Sequence, residues 1–446
     1  MQPIGRYSYF FCGLLLMIVK FAIDASILRS FDRPWTLMLY WSPLNLSVFN
    51  YSASELNFTL TLLAVSIPFT AIGIWLTARR LMALRLGLWL SILFFLPVVN
   101  LIFFTYLVAA PEAFDEKEDS DPSRLRSRFF EENSPTSMFA AAGVAAVCAC
   151  LAVGLSVTAL RSYGVGIFFA VPFGTGVLTT LLVSIPAPRS FGYCFGSTLL
   201  ALGMAALGLV AVAFEGLICL LMCVPLAIPL AALGVVVGRE IVRPDRRHLT
   251  RQAMIVAAAL LTLCPLSAAG ERLANAPLEL ISVVTTIEIN ASPARVWPLV
   301  IAFPELPPPT ELLFQAGIAY PIRARIEGNG PGAIRYCEFS TGPFVEPITD
   351  WQHGKLLAFQ VTSSPAPLTE LSPYAIHPPH LDGFLQSKRG QFELTPLDSG
   401  RRTRLEGTTW YRQALYPSTY WQVWTDAIIH KIHLRVLSHI RDLSES

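Results

Sequence analysis

The chain has 446 residues, of which 53% are hydrophobic and only 14% are charged. Soluble globular proteins carry about 25% charged residues, so the composition excludes an ordinary soluble protein. The formal net charge is +2, and Lys and Arg form no dense stripe interleaved with aromatic residues. This balance argues against a nucleic-acid partner.

The charged residues are unevenly distributed along the chain. Residues 1–270 contain 18 basic and 14 acidic residues, and 19 of these 32 lie in the two stretches 110–137 and 239–251. Residues 271–446 contain 15 basic and 17 acidic residues. We therefore expect a membrane half followed by a polar half.

The first half consists largely of long apolar segments. A helix needs about 20 apolar residues to cross the hydrocarbon core of a bilayer. Because many such segments follow one another, we predict an α-helical multi-pass membrane domain with about eight spans, and no cleaved signal peptide. The predicted spans are residues 10–28, 58–77, 88–108, 138–160, 164–185, 193–214, 216–238 and 252–268.

One polar segment divides this membrane half. Residues 111–137 are rich in acidic residues, Ser and Pro, a composition typical of a solvated loop. The prediction is a three-span unit over 1–110, the polar loop 111–137 and a five-span unit over 138–270.

A few residues inside the predicted spans stand out. Lys20 and Asp24 are four residues apart, so they share one helix face and can neutralise each other, as a structural ion pair or as part of a functional site. Glu215 is predicted to lie in the turn between two spans. The pair Gly174 and Gly176 predicts close helix contacts.

Basic residues in the loops indicate an orientation. With eight spans and the N-terminus outside, the inside loops hold twelve basic residues and the outside loops five. Basic residues favour the cytoplasmic side, so this count predicts a non-cytoplasmic polar half.

A few residues in the first 110 carry a resemblance to a known family: Gly5-Arg6-Tyr7, Arg79-Arg80, Trp89 and Pro97. With them, residues 1–110 resemble the YhaH-type family of small bacterial inner-membrane proteins of unknown function. The resemblance implies a multi-pass protein of the bacterial inner (plasma) membrane and supplies no activity.

The polar half has a different periodicity. Residues 281–289 are rich in β-branched residues and predict a strand, whereas residues 418–442 contain no Gly or Pro and predict a long helix. A strand, short helices, further strands and a terminal helix are the order of an α+β helix-grip fold. The β-like runs between them are 318–327, 332–340, 344–351, 355–363, 385–397 and 401–411.

Three segments of the polar half carry a second resemblance: Ile287–Trp297, Gly390–Leu394 and Thr403–Gly407. Over about residues 280–443, the chain resembles the START-like (SRPBCC) superfamily, which includes polyketide cyclases and lipid-transfer proteins. The resemblance implies that 275–446 is a domain with a curved sheet wrapped around the terminal helix and a cavity for a hydrophobic small molecule. It supplies no catalytic residues.

Two groups of polar residues are candidates for a ligand site. On the terminal helix, Asp426, His430 and His433 fall on the side opposite the charged face, and His377 and His380 form a second group. Three explanations are open: these side chains hydrogen-bond to one another and to nearby backbone, they orient a ligand at the polar end of an apolar pocket, or they bind a metal. The spacing lacks the His-Glu-x-x-His pattern of a strong metal site, so we predict no metal there. We also predict no cofactor.

Aromatic residues are dense near the C-terminus. Trp410 and Trp424 are candidates for pocket lining, with core packing or contact with the bilayer surface as alternatives.

These features predict membrane-tethered binding of a hydrophobic small molecule or lipid by the C-terminal domain, with membrane lipids as partners. Two alternatives remain open. One is a cyclase-like or hydratase-like enzyme using Asp426, His430 and His433 for acid–base chemistry. The other is an envelope scaffold that binds a protein.

Overall fold

The chain divides into two compact units. One comprises Met1–Val212 and Leu220–Ala276, and the other comprises Ala213–Cys219 and Pro277–Ser446. The computed structural model describes residues 3–32, 53–95, 99–110, 135–159, 163–212, 214–242, 249–274, 278–371 and 383–446.

The first unit is built from apolar helices. Seven helices among the described residues are long and apolar enough to cross a membrane, judged by length and composition. The helices are α1 (Arg6–Ser30), α2 (Ala53–Ala83), a 3-10 helix (Leu88–Phe95), α3 (Val99–Ala109), α4 (Pro135–Gly154), α5 (Val171–Val183), α6 (Phe191–Ala211), α7 (Leu217–Val242) and α8 (Leu249–Ala274), with π-helical turns at Leu155–Ala159 and Gly166–Ala170.

The predicted third span, 88–108, differs from a single α-helix in its described residues. These form the 3-10 helix Leu88–Phe95 and α3 (Val99–Ala109), and each is shorter than the roughly 20 residues that a spanning helix needs. The described residues therefore contain seven helices of spanning length, where the sequence predicts about eight. Membrane insertion remains a prediction.

Close packing inside this unit depends on glycine. A Cβ atom on Gly176 of α5 would lie 2.4 Å from the carbonyl oxygen of Ala231 on α7, and one on Gly234 would lie 2.1 Å from that of Phe173. Since such distances exclude a side chain, the two helices approach backbone to backbone, as small residues permit. The close contacts predicted at Gly174 and Gly176 are confirmed.

The charged residues of the apolar helices occupy defined positions. Lys20 donates to Asp24 across one turn of α1, with 2.5 Å between Nζ and Oδ2, so the predicted pairing is confirmed. Glu215 lies between the end of α6 and the start of α7.

The second unit contains a seven-stranded antiparallel sheet. The strand order is β1-β7-β6-β5-β4-β3-β2, so the first strand pairs with the last. The strands are β1 (Ile281–Ile289), β2 (Pro321–Glu327), β3 (Ile334–Phe339), β4 (Gly342–Gln352), β5 (Leu356–Gln360), β6 (Leu385–Leu397) and β7 (Arg402–Gln413); the helices are α9 (Pro293–Ile301), α10 (Leu312–Gln315) and α11 (Ser418–Glu445).

The sheet curls around the long terminal helix. Leu437 and Ile440 of α11 are fully buried and pack with Trp297 and Val300 of α9 in one hydrophobic core against the sheet. Both α11 residues lie on the side predicted to face inward. The result is a curled antiparallel half-barrel that resembles a helix-grip fold.

Candidate functional site

A cavity of about 110 Å³ lies between the sheet and α11. Its wall is mostly apolar, with rings from the strands and the loop after α9, and aliphatic side chains mainly from the helix. The apolar lining residues are Phe303, Phe339, Phe344, Phe359, Phe392, Val361, Ile429, Ile432 and Val436.

Two glycines leave room for this cavity on neighbouring strands. Gly390 of β6 and Gly407 of β7 both contribute to the wall. A Cβ atom on Gly390 would lie 2.6 Å from the ring of Phe359. Glycine therefore allows that ring to lie across β6, a use of glycine common where two groups approach closely in a sheet.

The buried end of the cavity holds an ion pair. Arg335 of β3 and Glu346 of β4 are directly opposite in the strand register, and Arg335 donates from Nη1 to Oε2 of Glu346. Nε of Arg335 also donates to the carbonyl oxygen of Ile301, at 3.1 Å. Relative exposure is only 1% for Arg335 and 6% for Glu346. Both charges are therefore withdrawn from water.

Aromatic rings surround this pair. The guanidinium carbon of Arg335 lies 5.5 Å from the ring centroids of Phe303, Phe359 and Phe392. Such rings attract a cation through their faces. They also keep the dielectric constant low, so burial raises the pKa of Glu346 while the guanidinium opposes that change.

Cys337 lies beside the ion pair in the cavity wall. Burial, together with the nearby carboxylate of Glu346, raises the pKa of its thiol to about 12. Because the thiolate is the nucleophilic form, Cys337 is a protonated wall residue at neutral pH.

His433 is the imidazole that lines the cavity. Its Nδ1 lies 3.0 Å from Oγ1 of Thr285 on β1, and its Nε2 lies 2.7 Å from Oγ1 of Thr409 on β7. Burial, and to a smaller extent the proximity of His430, lowers the pKa of His433 to about 4. The ring is therefore neutral at neutral pH and is held by two hydroxyl groups.

A chain of hydrogen-bonding groups leads from His433 towards solvent. The hydroxyl of Thr285 is also 2.8 Å from Nδ1 of His430, whose side chain is exposed. A hydroxyl has one proton to donate and lone pairs to accept, so it can link the two rings. His430, Thr285, His433 and Thr409 form a connected series from the surface to the cavity wall.

Asp426 belongs to a separate interaction. Its Oδ1 accepts a hydrogen bond from the hydroxyl of Tyr411, at 2.6 Å, and its Oδ2 accepts one from Gln422, at 3.4 Å. Tyr411 is fully buried, and burial together with the carboxylate raises its pKa well above the ordinary range. Asp426 thus anchors β7 to α11.

The less buried part of the wall includes Arg389. Its guanidinium carbon lies 4.2 Å from the ring centroid of Trp410, a cation–π contact. The guanidinium of Arg389 therefore contacts the face of the Trp410 ring. Trp424 is half-buried on α11.

The structure places the predicted site residues as follows. Of those within the described ranges, His433 is in the cavity wall, whereas Asp426, His430, Trp410 and Trp424 are not among the lining residues. His377 and His380 lie outside the described residues. Ligand binding by any of them remains a prediction.

Sequence reasoning missed Arg335, Glu346 and the surrounding phenylalanines. Alternation along the predicted strand 332–340 puts residues 335, 337 and 339 on one face, which was an available signal. The register with β4 was needed to show that this face points inward.

No group of three or more His, Cys, Asp or Glu side chains within the described ranges could hold a metal ion.

Comparisons with known proteins give no family for the chain. No family model matches the sequence, no curated protein matches it, and nothing supports the YhaH-type resemblance of residues 1–110.

Solved structures match part of the chain, and three of them illustrate the likeness. Norcoclaurine synthase from Thalictrum flavum, a point mutant with a transition-state analogue, is 14% identical, covers 38% of this chain and 97% of its own, and has a TM-score of 0.25. The aromatase/cyclase Zhui from a Streptomyces species is 13% identical, covers 37% and 94%, and has a TM-score of 0.25. The Aha1 dimer from Colwellia psychrerythraea is 16% identical, covers 37% and 96%, and has a TM-score of 0.23. At these values the likenesses assign no function.

Proposed function

We propose that the C-terminal unit binds a hydrophobic small molecule in the cavity between the sheet and α11. The observation that carries this proposal is the composition of the cavity wall. Five phenylalanine rings and four aliphatic side chains line it, and its polar groups include the paired Arg335 and Glu346 and the hydrogen-bonded His433. Small-molecule sites are concave and mostly apolar, with a small number of placed polar groups.

The cavity volume limits the part of the ligand that it encloses. An apolar protein cavity of about 150 Å³ binds benzene, and the cavity here is of similar order, at about 110 Å³. The enclosed portion is therefore a single ring or a short hydrocarbon segment. A longer ligand, such as a lipid, would leave the rest of its chain outside.

The apolar helices support a membrane-tethered form of this function. Seven described helices have spanning length, and anchoring a binding unit to a bilayer raises its effective concentration towards lipids. Membrane lipids are thus the proposed partners, at a bacterial inner membrane with the binding unit on the non-cytoplasmic side.

Native mass spectrometry of the full chain, purified in mild detergent, tests the binding function. The wild-type protein should retain an apolar molecule, and Val436→Phe should lose it, because Val436 lines the cavity. Val423→Phe is the matched control, since Val423 is 70% exposed on the same helix and outside the wall. Equal retention by both variants would contradict the proposal.

The hydrogen-bonded series from His430 to Thr409 favours a second candidate, acid–base catalysis on the bound molecule. His433 is neutral at neutral pH, so its ring can accept a proton from a bound molecule, and this series gives His433 a route to solvent. On this candidate the wild type holds product and His433→Gln accumulates the unreacted substrate. Fragmentation spectra of the molecules extracted from the two proteins distinguish even isomers of equal mass, and identical molecules in both proteins favour binding alone.

A further inference from the structure

The ion pair of Arg335 and Glu346 defines the polar end of the proposed ligand, an inference that rests on the proposed function. Both residues line the cavity, and their side chains are 2% and 8% exposed. They lie opposite each other on β3 and β4. The pair is therefore a fixed part of the sheet that faces the enclosed space.

Stability does not account for charges at this position. Replacing a buried ion pair by apolar residues of similar volume is often neutral or stabilising, because both ions lose their hydration. Phe303, Phe359 and Phe392 around Arg335 show that the surroundings are apolar. Hydrogen bonding to a polar group of the ligand would explain why two charged residues, rather than apolar ones, lie at this position.

Both members of the pair have unused hydrogen-bonding capacity among the described residues. A guanidinium has five N–H donors. The hydrogen bonds to Ile301 and Glu346 take two of them, and a third faces the thiol of Cys337. A carboxylate has about four lone-pair positions, and Glu346 accepts from Arg335.

The charge of the pair excludes charged ligand groups. A carboxylate that approached Arg335 would meet Glu346, and an ammonium that approached Glu346 would meet Arg335, each in a medium of low dielectric constant. Cys337, beside the pair, is a protonated thiol and adds no charge. A hydroxyl group avoids both conflicts, because it accepts from one partner and donates to the other.

We propose that the cavity selects an uncharged apolar alcohol or phenol, whose oxygen accepts a hydrogen bond from Arg335 and whose hydroxyl hydrogen is donated to Glu346.

Four probes with one carbon skeleton test this selectivity on the full chain in detergent, followed by fluorine NMR against detergent alone. They are 4-fluorobenzyl alcohol, 4-fluorobenzoate, 4-fluorobenzylammonium and 4-fluorotoluene. The alcohol should bind about tenfold more tightly than each of the others, since hydrogen bonds to charged partners give discrimination of at least that order.

The double variant Arg335→Met with Glu346→Leu assigns the selectivity to the ion pair. It replaces both charges at once, so it leaves no unpaired buried charge. The variant should bind 4-fluorotoluene at least as tightly as the wild type does. The ratio of its affinity for the alcohol to its affinity for 4-fluorotoluene should fall to about one.

The outcomes separate the two proposals. Tighter binding of the benzoate or the ammonium, or an unchanged alcohol preference in the double variant, would overturn the selectivity. Binding of none of the four probes would instead overturn the proposed function.

Discussion

Oγ1 of Thr285, on the first strand of the sheet, lies 3.0 Å from Nδ1 of His433 on the terminal helix. The same oxygen is 2.8 Å from Nδ1 of His430. One threonine hydroxyl therefore ties β1 to two imidazoles on α11, at the point where the helix closes the cavity.

Removing this hydroxyl should destabilise the C-terminal unit. Thr285→Val keeps the shape of the side chain but leaves the buried Nδ1 of His433 without a partner, a loss worth about 1–3 kcal/mol. Urea unfolding of the full chain in detergent, followed by tryptophan fluorescence, measures the change. Thr286→Val is the matched control, because Thr286 is exposed, and a loss of equal size in that variant would refute the explanation.

The stability of the folded unit should depend on pH through His433. Its pKa falls from an ordinary 6.5 to about 4 on folding, so between these values the unfolded chain binds a proton that the folded chain does not. The free energy of unfolding should therefore decrease as the pH falls from about 6.5 to 4, by about 3 kcal/mol in all.

Variants isolate this effect from other titrating groups. His433→Gln should remove that part of the pH dependence, whereas His439→Gln, on the same helix but outside the cavity wall, should retain it. Parallel pH profiles for the wild type and His433→Gln would show that His433 does not contribute.

The ion pair should show strong coupling between its members. Arg335→Met alone leaves the buried carboxylate of Glu346 without its guanidinium, and we expect a loss of about 3–5 kcal/mol. Adding Glu346→Leu should restore most of this loss. A double-mutant cycle on the urea unfolding of the full chain gives the coupling energy, and additive losses would contradict a direct buried pair.

Tyr411 should stabilise the contact between β7 and α11. Tyr411→Phe removes the donor to Asp426 and should lower the free energy of unfolding by about 1–3 kcal/mol. Tyr336→Phe serves as the control, because the ring of Tyr336, rather than its hydroxyl, contacts Arg325. Equal effects of the two substitutions would show that the bond to Asp426 contributes nothing specific.

Local sequence patterns predicted much of the C-terminal fold. The β-branched run 281–289 is β1, the run 385–397 is β6, and the segment 418–442 lies within α11 (Ser418–Glu445). The two strands follow from their residue pattern, and the helix follows from the absence of Gly and Pro in 418–442; both are local properties. The predicted span 88–108 differs because its described residues begin with a 3-10 helix, Leu88–Phe95, and hydropathy does not distinguish that helix type from an α-helix.

The cavity wall depends on strand pairing, and it was predicted only in part. The helical periodicity of α11 placed His433 inward, but His430, on the edge of the same face, is exposed. Arg335 and Glu346 meet because β3 and β4 pair in one particular register. Two residues eleven positions apart carry no local signal of that contact.

Photolabelling with an apolar diazirine, phenyl(trifluoromethyl)diazirine, tests the central claim most directly. Applied to the full chain in detergent and mapped by peptide mass spectrometry, it should label cavity residues of β6 and α11 such as Phe392 and Ile432. Labelling there should disappear in Val436→Phe and persist in Val423→Phe, while the apolar helices of the first unit stay labelled in both. Absence of label from β6 and α11, or equal labelling in both variants, would contradict an apolar ligand site under the terminal helix.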